Sequence, residues 1–448
     1  MQATLRRITF SVPAPEIPVR TQLTLLLVAV LSGSGLSATP CQAENWPAWR
    51  GPLGNGECRE TDVPLSWAAD RNVKWKVPLP EPGNSTPIVW GDRIFVTQAT
   101  DKGTKRSLIC FHKADGTIRW TKTIDYDKPE PTHSTNPFCA ASPVTNGERV
   151  VVSHGSAGIA CYDFDGNLQW HRDLGPAHHI WGTAASPVIA GDLVFLNFGP
   201  GERQALLAFH LKDGTDAWRA DEPGGKLGDQ GNKEWVGSWS TPVVAKVGER
   251  DQLLLSWPGA IKAYEPASGK LLWSCQGLFK DDSEDKLVYT NPLVNSEVVV
   301  AMCGFTGAWM GLRSPADVTA PGTDVTASHR LWRHPRAPQR IGSGVIVGDH
   351  IYMVNEPGTA QCIAWKTGET LWTERLTGGT WASLVHVGDR LYTTSLDGET
   401  VVFAAKPKFE VLSRNPIPER TLASLAISEG EVFLRTYKHL WCIREAGK

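Results

Sequence analysis

The sequence lacks several features that would assign it to a common class of protein. Its 448 residues carry 45 lysines and arginines against 47 aspartates and glutamates, a formal net charge of −2, and no basic stripe stands out. We therefore do not expect a nucleic acid as its partner. None of the nine cysteines belongs to a Cys-x-x-Cys motif, so a zinc site of that type is not supported. No nucleophile can be paired with a general acid or base, which leaves catalytic residues unknown.

The sequence also gives no apolar run that could cross a membrane in the mature chain. The run Leu23 to Leu31, interrupted only by a threonine, is too short to span a bilayer. Three arginines precede it, and Cys41-Gln42-Ala43 follows it as a signal-peptidase site. The sequence therefore predicts a signal peptide over residues 1–43, cleavage before Glu44 and export to the periplasm or cell envelope.

What the sequence does contain is an internal repeat. The stretch from Ala185 to Trp218 reads as four short strands, which we call A to D, separated by turns rich in Gly and Asp. The motif Gly-x-x-x-Trp marks the third turn and strand D five times, and Trp332 falls in phase without its glycine. The strand D tryptophans of these units are Trp120, Trp170, Trp218, Trp273, Trp332 and Trp372. We expect each to bridge to the neighbouring unit.

The opening of strand A recurs eight times and sets the number of repeats. The openings are Ser85-Thr86-Pro87, Ser142-Pro143, Ser186-Pro187, Ser240-Thr241-Pro242, Asn291-Pro292, Ser343-Gly344, Ser383-Leu384 and Ser424-Leu425. From Pro87 to Leu425 the mean step is about 48 residues, within the range of a propeller blade. The sequence therefore predicts an all-β, eight-bladed β-propeller of four-stranded antiparallel blades over residues 72–448.

The two ends of this repeat array predict how the ring closes. After Ser424 the chain has room for only three strands, while Val73 to Val77, with Trp75, forms an orphan strand D pattern before the first strand A. Pairing them completes blade eight and leaves no half-blade exposed. Residues 44–71 are out of phase, and we interpret them as an N-terminal strap that packs its tryptophans against the ring. We expect a monomer.

The cysteines divide into two groups. Four of them share one position on strand C, where other units carry alanine, and we interpret these as small buried core residues. They are Cys110, Cys161, Cys362 and Cys442. Outside that position, Cys58, Cys139, Cys275 and Cys303 could form disulfides, and the sequence does not say which.

At the level of the repeat, the chain resembles the pyrroloquinoline-quinone (PQQ) type propellers. The resemblance rests on a repeated pattern of a small residue, an apolar pair, a turn ending in Gly and then Trp. The segment from Ala263 to Trp273 is an example. The resemblance has two branches, the PQQ-dependent alcohol and sugar dehydrogenases and the non-catalytic propellers similar to the assembly factor BamB. The dehydrogenases hold the quinone through calcium at the start of strands A, and many have two adjacent cysteines beside it. No two cysteines are adjacent here, so the chain resembles the BamB-like branch more and we predict no cofactor.

A binding site is expected where the loops from strand D to the next strand A converge, because loops on a rigid scaffold carry function. Aromatic and cationic residues in these loops are candidates to line that funnel. They are Trp181, Trp239, Trp381, Trp235, His133 and Arg340. Each tryptophan can be interpreted equally well as a residue that only packs blades against one another.

Together these features predict an exported, non-catalytic β-propeller that serves as a protein- or ligand-binding or assembly scaffold in the cell envelope. Two alternatives remain open. One is a PQQ-dependent alcohol or sugar dehydrogenase, with PQQ and calcium as cofactors, and the other is a carbohydrate-binding or carbohydrate-acting propeller that uses the tryptophans.

Overall fold

The computed structural model describes Ser11 and residues 44–128, 130–222, 236–281, 286–304, 306–337 and 341–447. The chain divides into two units, Met1–Pro40 and Cys41–Lys448, and the fold below is that of the second unit. The predicted signal peptide and its cleavage site lie outside the described residues, apart from Ser11. Over the part of the chain that is described, no helix is long and apolar enough to cross a membrane.

Short strands separated by tight turns make up almost the whole fold. The first half of the chain contains, in order, β1 (Glu57–Cys58), β2 (Val73–Pro78), β3 (Ile88–Trp90), β4 (Arg93–Thr100), the 3-10 turn Asp101–Gly103, β5 (Lys105–His112), β6 (Ile118–Asp125), β7 (Val144–Thr145), β8 (Arg149–Ser153), the 3-10 turn Gly155–Ala157, β9 (Ile159–Asp163), β10 (Leu168–Arg172), β11 (Val188–Ala190), β12 (Leu193–Phe198), β13 (Ala205–His210), β14 (Asp216–Asp221) and β15 (Val236–Ser238).

The second half continues the pattern and contains one short helix. Its elements are β16 (Val243–Val247), β17 (Arg250–Trp257), β18 (Gly259–Tyr264), β19 (Leu271–Leu278), β20 (Lys286–Val288), β21 (Leu293–Val294), β22 (Val298–Met302), β23 (Trp309–Arg313), β24 (Thr323–Asp324), α1 (Thr326–His329), β25 (Arg330–His334), β26 (Val345–Val347), β27 (His350–Val354), β28 (Thr359–Ala364), β29 (Thr370–Arg375), β30 (Val385–Val387), β31 (Arg390–Thr394), β32 (Glu399–Ala404), β33 (Val411–Pro416), β34 (Ala426–Ser428), β35 (Glu431–Arg435) and β36 (His439–Ile443).

These strands form the eight antiparallel blades that the sequence predicts. Blades 1 to 4 are β3–β6, β7–β10, β11–β14 and β16–β19, blade 5 is β21, β22, β23 and β25, and blades 6 and 7 are β26–β29 and β30–β33. Blade 8 combines β34, β35 and β36 with β2 from the other end of the chain. In that blade Trp75 lies opposite Cys442 and Val77 opposite Leu440. The predicted closure by an N-terminal strand is therefore confirmed.

One repeated contact joins neighbouring blades on their outer side. Each strand D tryptophan lies opposite the small strand C residue of its own blade, as Trp120 does opposite Cys110. Except at Trp273, the indole N–H then reaches the next blade, where that of Trp120 donates to the Phe164 carbonyl at 3.0 Å. The turn glycine of the next blade lies against the ring, because a Cβ on Gly166 would come within 2.8 Å of Trp120. In the seven blades with a strand D tryptophan, the residue opposite the indole is Cys, Ala or Gly, because the indole occupies the space beside it.

A second repeated contact joins the blades at the axis. The backbone N–H of the residue that opens each strand A donates to the side-chain oxygen of the equivalent residue in the next blade, at 2.8 to 3.1 Å. In order around the ring these residues are Thr86, Ser142, Ser186, Thr241, Asn291, Ser343, Ser383, Ser424 and again Thr86. All eight are buried. We call this closed cycle the axial ring.

The strap runs along the inner edges of strands A and enters the channel that they surround. Trp46 exchanges two backbone hydrogen bonds with Val89 of blade 1, at 2.9 and 2.8 Å. Further along the strap, β1 pairs in parallel with β30 of blade 7. Between these points the buried Arg50 donates to the carbonyl oxygens of Gly344 and Leu384, each at 2.7 Å. Burial lowers the pKa of Arg50 to about 9, so the guanidinium remains charged at neutral pH.

All eight described cysteines are buried, and they form no disulfide with one another. Those of the strand C slot are core thiols. Burial raises the pKa of Cys110 to about 12 and that of Cys362 to about 11. Such thiols are poor nucleophiles because the thiolate is the reactive form.

Deleting residues 44–78 should destabilise the whole ring and not merely remove a tail. The deletion removes strand D of blade 8 together with the strap contacts to blades 1, 6 and 7. Thermal unfolding followed by circular dichroism should show a lower midpoint or no cooperative transition. A truncated protein that melts like the intact one would show that closure does not depend on this segment.

Replacing Ser383 by alanine should lower the free energy of unfolding by about 1–3 kcal/mol, because the buried Ser343 N–H loses its acceptor. Threonine at this position should retain most of the stability, since Thr86 and Thr241 occupy equivalent positions in the axial ring. Urea unfolding measures the difference, and Ser134→Ala at an exposed site is the control. Equal effects of Ser383→Ala and Ser134→Ala would contradict a structural role for the ring.

Cys110→Ala or Cys362→Ala should cost only about 1 kcal/mol or less, because the same slot accepts alanine in other blades. The thiols of the native protein should react with an aromatic disulfide reagent only after unfolding. Recovery of either cysteine in a native disulfide by mass spectrometry would overturn this interpretation.

Candidate functional site

A cavity of about 400 Å³ opens on the face where the loops between strands D and A converge. Its described wall is dominated by aromatic rings, with one carboxylate, that of Glu356. The aromatic side chains that line it are Trp49, His133, Trp181, Trp239, Tyr289 and Trp381. The axial ring lies at its base, because Ser186 and Ser424 also line the cavity.

The first part of the wall comes from the two loops that precede blades 2 and 3. The rings of His133 and Trp181 lie 4.4 Å apart between centroids, with 44° between their planes. Nδ1 of His133 forms a hydrogen bond with the Thr135 hydroxyl at 2.8 Å. The Asn136 amide donates to the carbonyl oxygens of Trp181, at 2.6 Å, and Thr183, at 3.3 Å. These hydrogen bonds from Asn136 tie the two loops together and hold the two rings in contact.

A buried ion pair anchors the first of these loops to the ring. Arg106 on β5 donates to the Glu130 carboxylate at 2.7 Å, and both side chains are almost fully buried. The Ser156 hydroxyl also donates to Glu130 at 2.7 Å, and the Arg106 guanidinium lies 4.2 Å from the centre of the Phe138 ring. Removing one partner of such a pair would leave a buried charge uncompensated, so the loop position is strongly specified.

The second part of the wall is centred on Trp239. Its indole N–H donates to the Gly182 carbonyl at 2.9 Å, and its ring meets those of His179 and Tyr289 edge to face at 5.0 and 5.1 Å. His179 is fully buried, and this burial lowers its pKa to about 4. His179 is therefore neutral at neutral pH, and its ring packs edge to face against that of Trp239. The Trp239 ring faces the cavity with its N–H already satisfied.

The remaining aromatic residues, Trp381 and Trp49, come from a loop between blades and from the strap. Trp381 precedes strand A of blade 7, and its indole N–H donates to Glu356 at 3.1 Å. Trp49 belongs to the strap, where the next residue, Arg50, is fixed to blades 6 and 7. The following turn requires glycine, because Gly51 has φ of +76° and a Cβ there would lie 2.8 Å from the Trp46 ring. The strap therefore supplies part of the cavity lining through Trp49.

The structure brings four of the six predicted residues together. His133, Trp181, Trp239 and Trp381 line the same cavity. Trp235 and Arg340 lie outside the described residues. Among the aromatic and acidic residues of the wall, sequence reasoning missed Trp49, Tyr289 and Glu356. The sequence predicts for Trp49 only packing of the strap against the ring, and Glu356 lies in a turn between strands B and C, away from the loops in which a site is expected.

Calcium, through which the dehydrogenases of the resemblance hold PQQ, takes oxygen ligands from carboxylates and amides. Within the described ranges, no group of three or more His, Cys, Asp or Glu side chains is placed to hold a metal ion. The described wall of the cavity presents one carboxylate, Glu356, and two amides, Asn84 and Asn136, whose Nδ2 groups donate to backbone carbonyls. What the wall offers is aromatic ring surface with a few hydrogen-bonding groups, an arrangement suited to stacking on a ligand or on a partner's side chain.

Comparison with known proteins identifies relatives of this fold. A family model described as outer membrane protein assembly factor BamB matches residues 105–374. No curated protein sequence matches the chain significantly. Among solved structures, BamB from Moraxella catarrhalis aligns with a TM-score of 0.57 and 14% identity over 82% of this chain and 98% of that chain.

Quinone-dependent enzymes are similar to the chain as well. The quinohemoprotein alcohol dehydrogenase from Comamonas testosteroni has a TM-score of 0.62 and 13% identity, covering 90% of this chain and 81% of its own. A europium-containing methanol dehydrogenase has a TM-score of 0.61 and 11% identity, covering 87% and 89%. At these identities the structural likeness establishes the fold alone. The family model, in contrast, matches more than half of the sequence. The chain therefore belongs to the family of PQQ-like β-propellers whose model is described as outer membrane protein assembly factor BamB.

Proposed function

We propose that this protein is an exported, non-catalytic scaffold of the cell envelope that binds a protein segment or a small ligand in the cavity at the strand D to strand A face. The observation that carries the proposal is the meeting of His133, Trp181, Trp239 and Trp381 in one cavity. These residues are not part of the repeat. They lie beside the axial ring but do not form it, so folding does not account for them.

The hydrogen bonds of the wall support recognition by ring surface. The indole N–H groups of Trp239 and Trp381 are already donated to Gly182 and Glu356, so these rings have apolar and π surface left to offer an occupant. Such surface binds sugars, planar rings and aromatic or aliphatic side chains by stacking and burial. The wall is also rigid, because buried hydrogen bonds and the Arg106–Glu130 pair fix its loops. A rigid wall costs little conformational entropy when an occupant binds.

The branch of the family to which the chain is assigned agrees with this proposal. The family description refers to an outer membrane assembly factor, and residues 1–43 have the pattern of a signal peptide. The dehydrogenase alternative would require PQQ and calcium, and many of the enzymes that it resembles carry two adjacent cysteines, which this sequence lacks. We propose no cofactor, and we take protein or ligand binding as the activity.

Trp381→Ala or Trp181→Ala should weaken binding of the natural occupant while the ring stays folded. Truncating an aromatic residue at the centre of an interface costs about 2 kcal/mol or more, roughly 30-fold in Kd. The measurement is crosslinking in the envelope from a photoreactive residue at position 135 in the cavity wall, followed by mass spectrometry of the adduct. The matched control is Trp90→Ala, at the far end of strand A of blade 1, which should leave the adduct and the binding unchanged.

Two results would count against the proposal. Oxidation of an alcohol or sugar by the purified protein, dependent on added PQQ and calcium in a dye-linked assay, would favour the dehydrogenase. Gross unfolding of both cavity variants, seen by circular dichroism, would show that these tryptophans only pack blades.

A further inference from the structure

The carboxylate of Glu60 is buried at the point where the strap meets the last blade. Only 3% of this residue is exposed. Its Oε1 accepts the backbone N–H groups of Glu44, at 2.9 Å, and Glu429, at 2.6 Å, and its Oε2 accepts that of Gly430 at 2.7 Å. Three amide hydrogen bonds thus satisfy the oxygens of one buried anion.

This anion has no cationic partner among the side chains that the structure describes. The cations around the adjoining surface cavity pair with other carboxylates, Lys113 with Glu429 at 2.5 Å and Lys74 with Glu431 at 2.6 Å. Arg444 also lies 3.4 Å from Glu431. Asp62 and Asp92 add further negative charge to the same cavity. A buried carboxylate in such surroundings is stabilised by a positive charge brought to its oxygens.

The residue that donates to Glu60 is the first one after the predicted cleavage site. The rest of Glu44 is also held, since its carbonyl accepts the Ser428 hydroxyl at 2.7 Å and its carboxylate accepts the Arg59 backbone N–H at 2.9 Å. Its nitrogen therefore stays at the Glu60 oxygen without help from the preceding residue. Any charge on the Glu44 nitrogen therefore interacts directly with the Glu60 carboxylate.

We propose that cleavage between Ala43 and Glu44 creates an α-ammonium group that forms a buried ion pair with Glu60. A signal peptidase adds one water across the peptide bond, which leaves a carboxylate on Ala43 and an amine on Glu44. The amine takes a proton because its ordinary pKa is about 7.7–8.0. An amide donor at 2.9 Å thereby becomes a charged donor at the same atom.

The ion pair fastens the strap to the blade that closes the ring. Glu60 also binds the turn of blade 8 at Glu429 and Gly430, and Glu429 has φ of +54°, a conformation that a residue with a side chain rarely adopts. One carboxylate therefore joins the new N-terminus, the strap and the last blade. The mature protein gains this contact only when the leader has been removed. The inference rests on the proposed export and is independent of binding in the cavity.

The test uses the full-length chain, expressed with its own leader in a bacterial host and purified from the envelope. Mass spectrometry of the N-terminal peptide should find Glu44 as the first residue. The native protein is then treated with an amine-acylating reagent at neutral pH, and labelling of the Glu44 amine is compared before and after unfolding in urea. We expect labelling at least about tenfold slower in the native protein, since raising an amine pKa by about one unit leaves a tenth as much free amine.

Glu60→Gln removes the charge with little change in size and should bring the labelling rate close to that of the unfolded chain. Glu57→Gln, on the same strap but in contact with Asn55 instead, is the matched control and should leave labelling slow. If Glu60→Gln does not fold, the comparison of native and unfolded wild-type protein decides. A mature N-terminus other than Glu44, equal labelling of the native and unfolded protein, or equal effects of both variants would overturn the ion pair. An exported protein that begins elsewhere would still leave the binding proposal standing.

Discussion

The axial ring is the interaction on which the rest of this fold depends. Except where the strap pairs with it, strand A of each blade has one edge without a neighbouring strand, and a buried N–H on that edge would be unpaired in an isolated blade. Each blade instead satisfies its neighbour with one hydroxyl or amide oxygen, and the eighth, Ser424, returns its N–H to Thr86 of the first. Because each bond needs the next blade in place, the cycle ties blade number, spacing and register to one another.

On the outer side of the ring, neighbouring blades are joined by aromatic packing, in contrast to the polar contacts at the axis. Blades diverge from the axis, so the space between them grows and must be filled by larger side chains. The strand D tryptophans fill it, and the small strand C residue and the turn glycine of the next blade leave room for the indole, as at Cys110, Trp120 and Gly166. Trp273 departs from the pattern, since its N–H donates to Gln252 of its own blade at 2.8 Å. Polar contacts near the axis and aromatic contacts further out thus share the task of holding blades together.

Sequence reasoning predicted what repeats and missed what occurs once. Eight openings of strand A and the in-phase tryptophans were enough to predict blade number, strand order and closure through Val73 to Val77, because periodic residues constrain one another. The strap has no period, and its path was not predicted: nothing local to Arg50 indicates carbonyl partners almost 300 residues or more away at Gly344 and Leu384. The cavity was predicted in part, since the loop tryptophans could be found as residues that the repeat does not use. Glu356 and Trp49 enter it through long-range packing, for which a single sequence carries no signal.

The pairing of Val73–Pro78 with His439–Ile443 also determines the order in which the molecule can be completed. Strand β2 emerges from the ribosome before any blade, yet it pairs with β36, which ends at Ile443. It must wait, unpaired, until almost all of the polypeptide has been made. Contacts between such distant segments form slowly, because a long loop has to close before they stabilise anything. Final closure is therefore a late step, because blade 8 lacks its outermost strand until the segments from the two ends of the ring have met.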